Sequence, residues 1–226
     1  MTPGLRRFRW RHRVGALFLA MLVTAAIWRS LPFWNDPEIV LKIGGTYEEM
    51  QANSTAPFSP LIRGHIWGGI PKADARLRFI DPQYGFETPL ARFFTVTFND
   101  NVIEDVVMSP QVEPLLIDDA LAVALNLQDQ LRDKGWVAKG LRANPTIADT
   151  PEWRSYLRQG ILHGQSNWQA GDKYQVTLSL GRFKDYRNPR QERYLITLAL
   201  SKPWVPFDEI EDMYDEPSHF PAPQPK

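Results

Sequence analysis

The chain has 226 residues and a mass of 26.0 kDa, which suits one domain of ordinary size or two small ones. Hydrophobic residues make up 43% and charged residues 23%, so the composition excludes a wholly disordered chain. The absence of cysteine excludes disulfides, a thiol nucleophile, a lipid-modified cysteine and a cysteine-ligated metal. Residues 1–35 hold six of the 26 basic residues and no acid, so residues 36–226 carry a net charge of −6, which is unfavourable for binding nucleic acid.

The first predicted element is a transmembrane signal-anchor over residues 14–34. Five arginines lie in residues 1–13, and no charged residue occurs from 14 to 28. The positive-inside rule assigns residues 1–13 to the cytoplasm and the rest of the chain to the periplasm of a bacterial cell. Aromatic and snorkelling side chains mark the two membrane interfaces of the predicted single span, and these are Trp10, Trp28, Arg29 and Trp34.

Two other interpretations of this segment stay open. A cleaved signal peptide also has a basic start and a short apolar stretch, and Thr24–Ala26 is a tolerable cleavage site. A buried core helix is the third, although the preceding arginines disfavour it. The anchor interpretation predicts a cell inner membrane protein with an exported domain over residues 37–202.

The exported domain begins with a predicted strand over residues 37–43. Thr46 and Glu49 then form a capping box, which predicts a short helix over residues 47–53. Residues 54–72 are rich in proline, glycine and aromatic residues, and they predict a loop with one strand around 62–67.

Alternating apolar residues predict three antiparallel strands over residues 74–80, 92–98 and 102–108. Asn99–Asn101 supplies residues that tolerate positive φ and predicts a tight hairpin between the second and third strands.

A 3.6-residue apolar period predicts an amphipathic helix over residues 118–134, with Gly135 as its left-handed cap. A second helix is predicted from Thr150 to Gln159. Strict alternation over residues 173–180 and 193–200 predicts a hairpin whose long basic connection is exposed and mobile. Residues 203–226, with six prolines and six acids, predict an extended acidic tail.

No residue is assigned as catalytic, cofactor-binding or metal-binding. The histidines have no metal-ligand spacing, and Ser166 lacks the final glycine of a nucleophile elbow. Glu48 and Glu49 would point in different directions on a helix, which disfavours them as an acid and base pair. The glycines at 68 and 69 lack the spacing of a phosphate-binding loop. An enzyme remains the alternative, with carboxylates as acid and base, and its candidates are Glu87, Asp105 and Asp185.

Aromatic residues make up 12% of the chain, and several fall in predicted loops. Loop aromatics can anchor a protein interface, or they can cover the core from outside. On the first interpretation the candidate protein-binding residues are Trp67, Tyr84, Phe86 and Trp168. An arginine stripe formed by Arg76, Arg78 and Arg92 is a further candidate for an acidic partner, although exposed strand arginines usually make surface ion pairs.

The segment Gly44–Met50 (GGTYEEM), followed by the predicted meander, resembles the opening of small outer-membrane assembly lipoproteins and lactamase-inhibitor-like domains. The resemblance covers residues 44–108. It implies a helix packed on an antiparallel sheet and a binding role, and it carries over no binding residues. This chain departs from the lipoproteins because it has no lipidation cysteine.

The predicted fold class is α+β, with a single N-terminal transmembrane helix followed by an antiparallel sheet covered on one face by one long amphipathic helix. The predicted function is binding of another protein outside the cytoplasm, as an assembly factor, a scaffold or an inhibitor. An acidic inhibitor of a basic enzyme would associate rapidly through charge steering. The alternative is an envelope hydrolase acting on glycan or peptide.

Overall fold

The computed structural model describes residues 36–141, 144–160, 164–187 and 189–203. These contain ten strands and three helices. In chain order they are β1 (Glu38–Leu41), α1 (Tyr47–Asn53), β2 (Ile66–Gly69), β3 (Arg76–Phe79), β4 (Phe86–Glu87), β5 (Phe94–Asn99), β6 (Val102–Met108), α2 (Ile117–Asp133), β7 (Val137–Lys139), α3 (Pro151–Gln159), β8 (Gly164–Ala170), β9 (Tyr174–Phe183) and β10 (Arg193–Ser201).

Most strands belong to one large antiparallel sheet of seven strands in the order β2-β5-β6-β10-β9-β8-β7. A smaller sheet has the order β1-β3-β4, in which β1 pairs with β3 in parallel and β4 pairs with β3 antiparallel. The chain therefore uses β2 and β7 as the two edges of the large sheet, and β1 and β4 as the edges of the small one.

Side chains alternate strictly along β10, which gives the large sheet one buried face at this strand. Tyr194, Ile196, Leu198 and Leu200 are fully buried, while the residues between them are partly exposed. We call the side that carries these four residues the inner face of the large sheet, and the opposite side the outer face. Helix α2 contacts β9 and β10, and it places Leu121, Ala124 and Leu131 in the same hydrophobic core.

The local predictions for the helices are confirmed. The Thr46–Glu49 capping box is present at the start of α1, and the Thr150 side chain caps α3. The predicted long helix is α2, and Gly135 follows it with a φ of 83°. Asp100 adopts a φ of 55° in the tight turn between β5 and β6, as its hairpin prediction requires.

The predicted fold class is wrong. The described residues form mainly a large antiparallel sheet with three helices, and a second, mixed sheet contains a parallel pair that was not predicted. Within residues 36–203 as described, no helix is long and apolar enough to cross a membrane. The predicted segment 14–34 and its interface residues Trp10, Trp28, Arg29 and Trp34 lie outside the described residues, as do residues 204–226 of the predicted tail.

Three glutamine side chains each bond to one backbone N–H and one backbone C=O in another part of the chain. Gln128 donates to Ile147 O at 2.7 Å and accepts from Ile147 N at 2.9 Å. Gln130 donates to Glu87 O at 3.1 Å and accepts from Glu87 N at 3.0 Å. Gln111 donates to Tyr194 O and accepts from Ile196 N. Each amide therefore satisfies one N–H and one C=O, as a paired strand would.

Candidate functional site

Trp67 lies in a cluster of four aromatic rings on the inner side of β2. Its ring stacks on Phe98 with centroids 4.6 Å apart, and Tyr47 and Phe58 complete the cluster. The indole Nε1 donates to Asp100 O at 3.1 Å. Only 8% of the residue is exposed, so Trp67 holds β2 against the core.

Tyr84 and Phe86 are brought together in a second cluster, with Phe79, Trp136 and Tyr174. Neighbouring ring centroids in this cluster are 5.0 to 6.5 Å apart. Phe86 is buried and Tyr84 is half-buried. Trp136 Nε1 donates to Tyr84 O at 3.0 Å, which ties the turn before β4 to the segment after α2.

Trp168 stands apart from both clusters. It lies on β8, is 2% exposed, and donates from Nε1 to Ser166 Oγ at 3.1 Å. The structure thus places three of the four predicted contact residues inside the core and leaves the fourth half-buried. The apparent loops around Trp67, Phe86 and Trp168 are strands, which explains why these large apolar rings are buried.

The described residues do expose apolar side chains on β2 and its extension. Ile66 is 75% exposed and Ile70 is 56% exposed, on the outer face of the large sheet. Gly68 lies between them and carries no side chain, so the Thr95 methyl group is left open beside it. We call residues Ile66–Ile70 the β2 edge.

The β2 edge also leaves backbone hydrogen-bonding groups open. Asp100 N donates to His65 O at 2.9 Å on the β5 side, whereas Ile70 bonds to Ser59 on the opposite side. Because successive residues of a strand alternate direction, the N–H and C=O groups of Ile66 and Gly68 point away from β5. Among the residues that the structure describes, none bonds to these four groups.

The chain before β2 pairs with one end of the β2 edge and then leaves it. Residues 57–59 pair with the end of the β2 edge, since Lys72 N donates to Pro57 O at 2.8 Å and Ser59 N to Ile70 O at 3.1 Å. Continued antiparallel pairing would place Leu61 opposite Gly68 and Arg63 opposite Ile66, but no hydrogen bond joins these residues in the described part of the chain. The chain turns away instead, and Gly64 N bonds to Asp100 Oδ1 at 2.7 Å.

Charged side chains surround the β2 edge without covering it. Arg63 pairs with Glu48 at 3.0 Å, and both side chains are exposed. Backbone N–H groups at the start of α1 and the Asn101 side chain lower the pKa of Glu48, and Arg63 adds to this effect.

The net negative charge of residues 36–226 comes mostly from residues 203–226. Residues 36–202 carry 19 basic and 20 acidic side chains, so they are almost neutral.

The three carboxylates of the enzyme alternative are not brought together. Glu87 lies on β4, and Asp105 on β6 accepts from Thr97 Oγ1 at 2.9 Å. Asp185 is buried in the connection after β9 and accepts from Arg187 N at 2.9 Å. Arg187 in turn bonds to Glu113 at 2.8 Å, so this connection, which was predicted to be mobile, is tied to the segment before α2.

The remaining candidates have structural partners or lie outside the described ranges. Arg76 and Arg78 pair with acids at the start of β1, and Arg92 pairs with Asp74 and Glu113. His163 lies outside the described ranges, and Ser166 is fully buried. Across the residues the structure describes, no group of three or more His, Cys, Asp or Glu side chains could hold a metal ion.

Comparisons with known proteins found no matching family model, no similar curated protein and no similar solved structure. A strand near Trp67 was predicted, but its open edge was not. The signal for that edge in the sequence is the placement of isoleucine at 66 and 70 on either side of Gly68.

Proposed function

We propose that this protein binds another protein, and that an extended segment of the partner adds to the large sheet as a further strand beside β2. The observation that carries the proposal is the set of open N–H and C=O groups on Ile66 and Gly68. Addition of a strand to a sheet edge uses such main-chain groups for affinity and the alternate side chains for specificity.

The exposed isoleucines support the same proposal. Native edge strands usually carry lysine, proline or a bulge that prevents pairing with other chains. The β2 edge carries Ile66 and Ile70 on its outer face instead, and the proline lies before the strand rather than in it. A partner strand would cover these two side chains while its backbone pairs with β2.

We propose further that this binding takes place outside the cytoplasm, at the inner membrane of a bacterial envelope. The support is the run of five arginines in residues 1–13 followed by 15 uncharged residues. Protease treatment of intact and permeabilised spheroplasts tests this location. Cleavage of the domain in intact spheroplasts supports it, and protection until the inner membrane is opened contradicts it.

The binding proposal is tested with the full chain carrying a C-terminal tag. Wild-type protein and the Ile66→Lys variant are isolated from membranes, and the captured proteins are quantified by mass spectrometry. A lysine on the edge strand disfavours strand addition, so we expect Ile66→Lys to lower recovery of the partner by roughly tenfold.

The matched control is Val137→Lys on β7, the other edge of the same sheet, where Val137 is 50% exposed. Both substitutions replace an exposed apolar side chain on an edge strand, so both leave the core intact. If the β2 edge is the binding surface, the Val137→Lys variant should recover as much of the partner as the wild type does. Equal recovery from the wild type and both variants, or equal loss in both variants, contradicts the proposal.

A further inference from the structure

A second surface, separate from the β2 edge, is a cleft of about 710 Å³ beside the small sheet. It lies where the parallel strands β1 and β3 end, and Ile80 N donates to Leu41 O at 2.9 Å to hold these two ends together. Lys42 follows β1 directly, and the Asp81–Gly85 turn follows β3. The carboxyl ends of parallel strands commonly form ligand-binding crevices, because the chain leaves both strands there and opens a gap.

The walls of the cleft are fixed before any ligand arrives. Phe79 and Phe86 line it and belong to the second aromatic cluster. Gly85 closes the turn tightly, because a Cβ there would lie 3.0 Å from the carbonyl oxygens of Phe79 and Asp81. Ile80 and Pro82 add exposed apolar surface at the rim. A ligand therefore meets a rigid wall with an apolar rim.

Two of the polar groups in the cleft are already used within the fold. Asp81 Oδ1 accepts from Gln83 N and Tyr84 N, each at 2.9 Å, and Oδ2 accepts from the Tyr174 hydroxyl at 3.1 Å. Gln130 is bonded to both backbone groups of Glu87 and to Asn126. Neither side chain is free to bind a ligand.

The cationic groups of the cleft have spare capacity. Within the described part of the chain, Lys42 and Lys134 line the cleft and make no ion pair. Arg78 is partly neutralised, since its Nε lies 3.4 Å from Glu38 Oε2. Glu87 also lines the cleft and is the cross-strand neighbour of Arg78. Glu87 makes no ion pair among the described residues either. Apart from the carboxylate that is already bonded within the fold, the charged groups of the cleft without a counter-ion are therefore two cations and one anion, with a net positive charge.

We propose that this cleft binds an anionic group, a carboxylate or a phosphate, carried on a small apolar body. Lys42 and Lys134 hold the anion, and Ile80 and Pro82 contact the apolar part. The cleft volume lies within the range of small-molecule sites, and an anion between two ammonium groups makes charge-assisted hydrogen bonds to both.

The test uses the full chain in detergent and three fluorinated probes: 4-fluorobenzoate, 4-fluorophenyl phosphate and 4-fluorobenzylamine. Binding is followed by fluorine NMR titration, with micelles alone as the baseline. We expect saturable binding of at least one anion, and the tighter of the two identifies the ligand as carboxylate or phosphate. We expect no binding of the amine, which has the same ring and the opposite charge.

The deciding variant is Lys42→Gln with Lys134→Gln, which should weaken binding of the anion by about tenfold or more. The matched control is Lys72→Gln with Lys202→Gln, which removes the same charge elsewhere on the surface and should leave the affinity unchanged. Absence of saturable anion binding to the wild type overturns the proposal. Equal weakening in both double variants, or equal affinity for the amine, overturns it as well.

Discussion

The edge strands β4 and β2 end their sheets in opposite ways. On β4, the Gln130 amide from α2 bonds to both the N–H and the C=O of Glu87, so the outward backbone groups are satisfied within the chain. On β2, the equivalent groups of Ile66 and Gly68 have no partner among the described residues. One edge is closed by a side chain, and the other stays open.

The difference shows how little sequence separates a closed edge from an open one. A single side-chain amide on a neighbouring helix can take the place of a paired strand at one edge residue, because it offers one donor and one acceptor side by side. Helix α2 uses this device twice in the described residues, with Gln128 and Gln130. At the β2 edge no side-chain amide bonds to Ile66 or Gly68 among the described residues, so their backbone groups stay open.

The largest expected effect comes from Trp67→Ala, which removes the ring that anchors the open edge to the core. The substitution loses the stack on Phe98 and the bond to Asp100 O, and it leaves a cavity in the first aromatic cluster. We expect the free energy of unfolding to fall by about 3–5 kcal/mol, measured by urea denaturation. A loss near zero would mean that β2 is held by its pairing with β5 alone.

The next largest effect is the loss of stability when a glutamine that bonds to a buried backbone residue is removed, compared with one that bonds to an exposed residue. Gln128→Ala orphans the N–H and C=O of Ile147, which is itself buried, and we expect a total loss of about 2–3 kcal/mol for the two groups. Gln130→Ala is the matched control, because water can reach Glu87, and we expect a loss of about 1 kcal/mol. Both are measured by urea denaturation, and equal losses would contradict the argument that burial sets the cost.

The smallest effect concerns Asp81 in the turn that borders the cleft. Partial burial opposes ionisation, but the backbone N–H groups of Tyr84 and Gln83 and the Tyr174 hydroxyl outweigh it and lower the pKa of Asp81. A carboxyl with a lowered folded-state pKa stabilises the fold above its unfolded pKa, and this contribution is lost as the pH falls through the folded value.

We therefore expect the stability of Asp81→Asn to fall less steeply than that of the wild type between about pH 5 and pH 2. Urea midpoints at a series of pH values measure the two slopes. Parallel curves would show that the Asp81 charge does not contribute.

Local signals predicted the elements that depend on near neighbours. The apolar period of α2, the Thr46–Glu49 box and the turn at Asp100 were all visible in the sequence because each is complete within a few residues. The parallel pairing of Glu38 with Arg76 was not, because partners so far apart leave no local pattern. Strand β8 was also missed, since Ser166 takes an inward position where an apolar residue would have marked the alternation.

The candidate surfaces were harder to predict than the elements. Aromatic composition drew attention to Trp67, Phe86 and Trp168, yet these rings fill the core because each lies on a strand with its side chain inward. The open edge depends on the direction of backbone groups, and the cleft depends on which charges find partners. Both are properties of the assembled chain rather than of any residue type.

The open β2 edge has a kinetic consequence for the proposed binding mode. Among the described residues, the preceding chain bonds only to Ile70 and Lys72, so a partner segment added beside β2 would find the backbone groups of Gly68 and Ile66 unbonded and would displace no hydrogen bond there. On this proposal, association would need no prior opening of the domain, and ordering of the incoming segment against β2 would limit its rate. An edge that is closed by its own chain must first lose those hydrogen bonds, whereas within the described ranges the β2 edge has none to lose at Ile66 and Gly68.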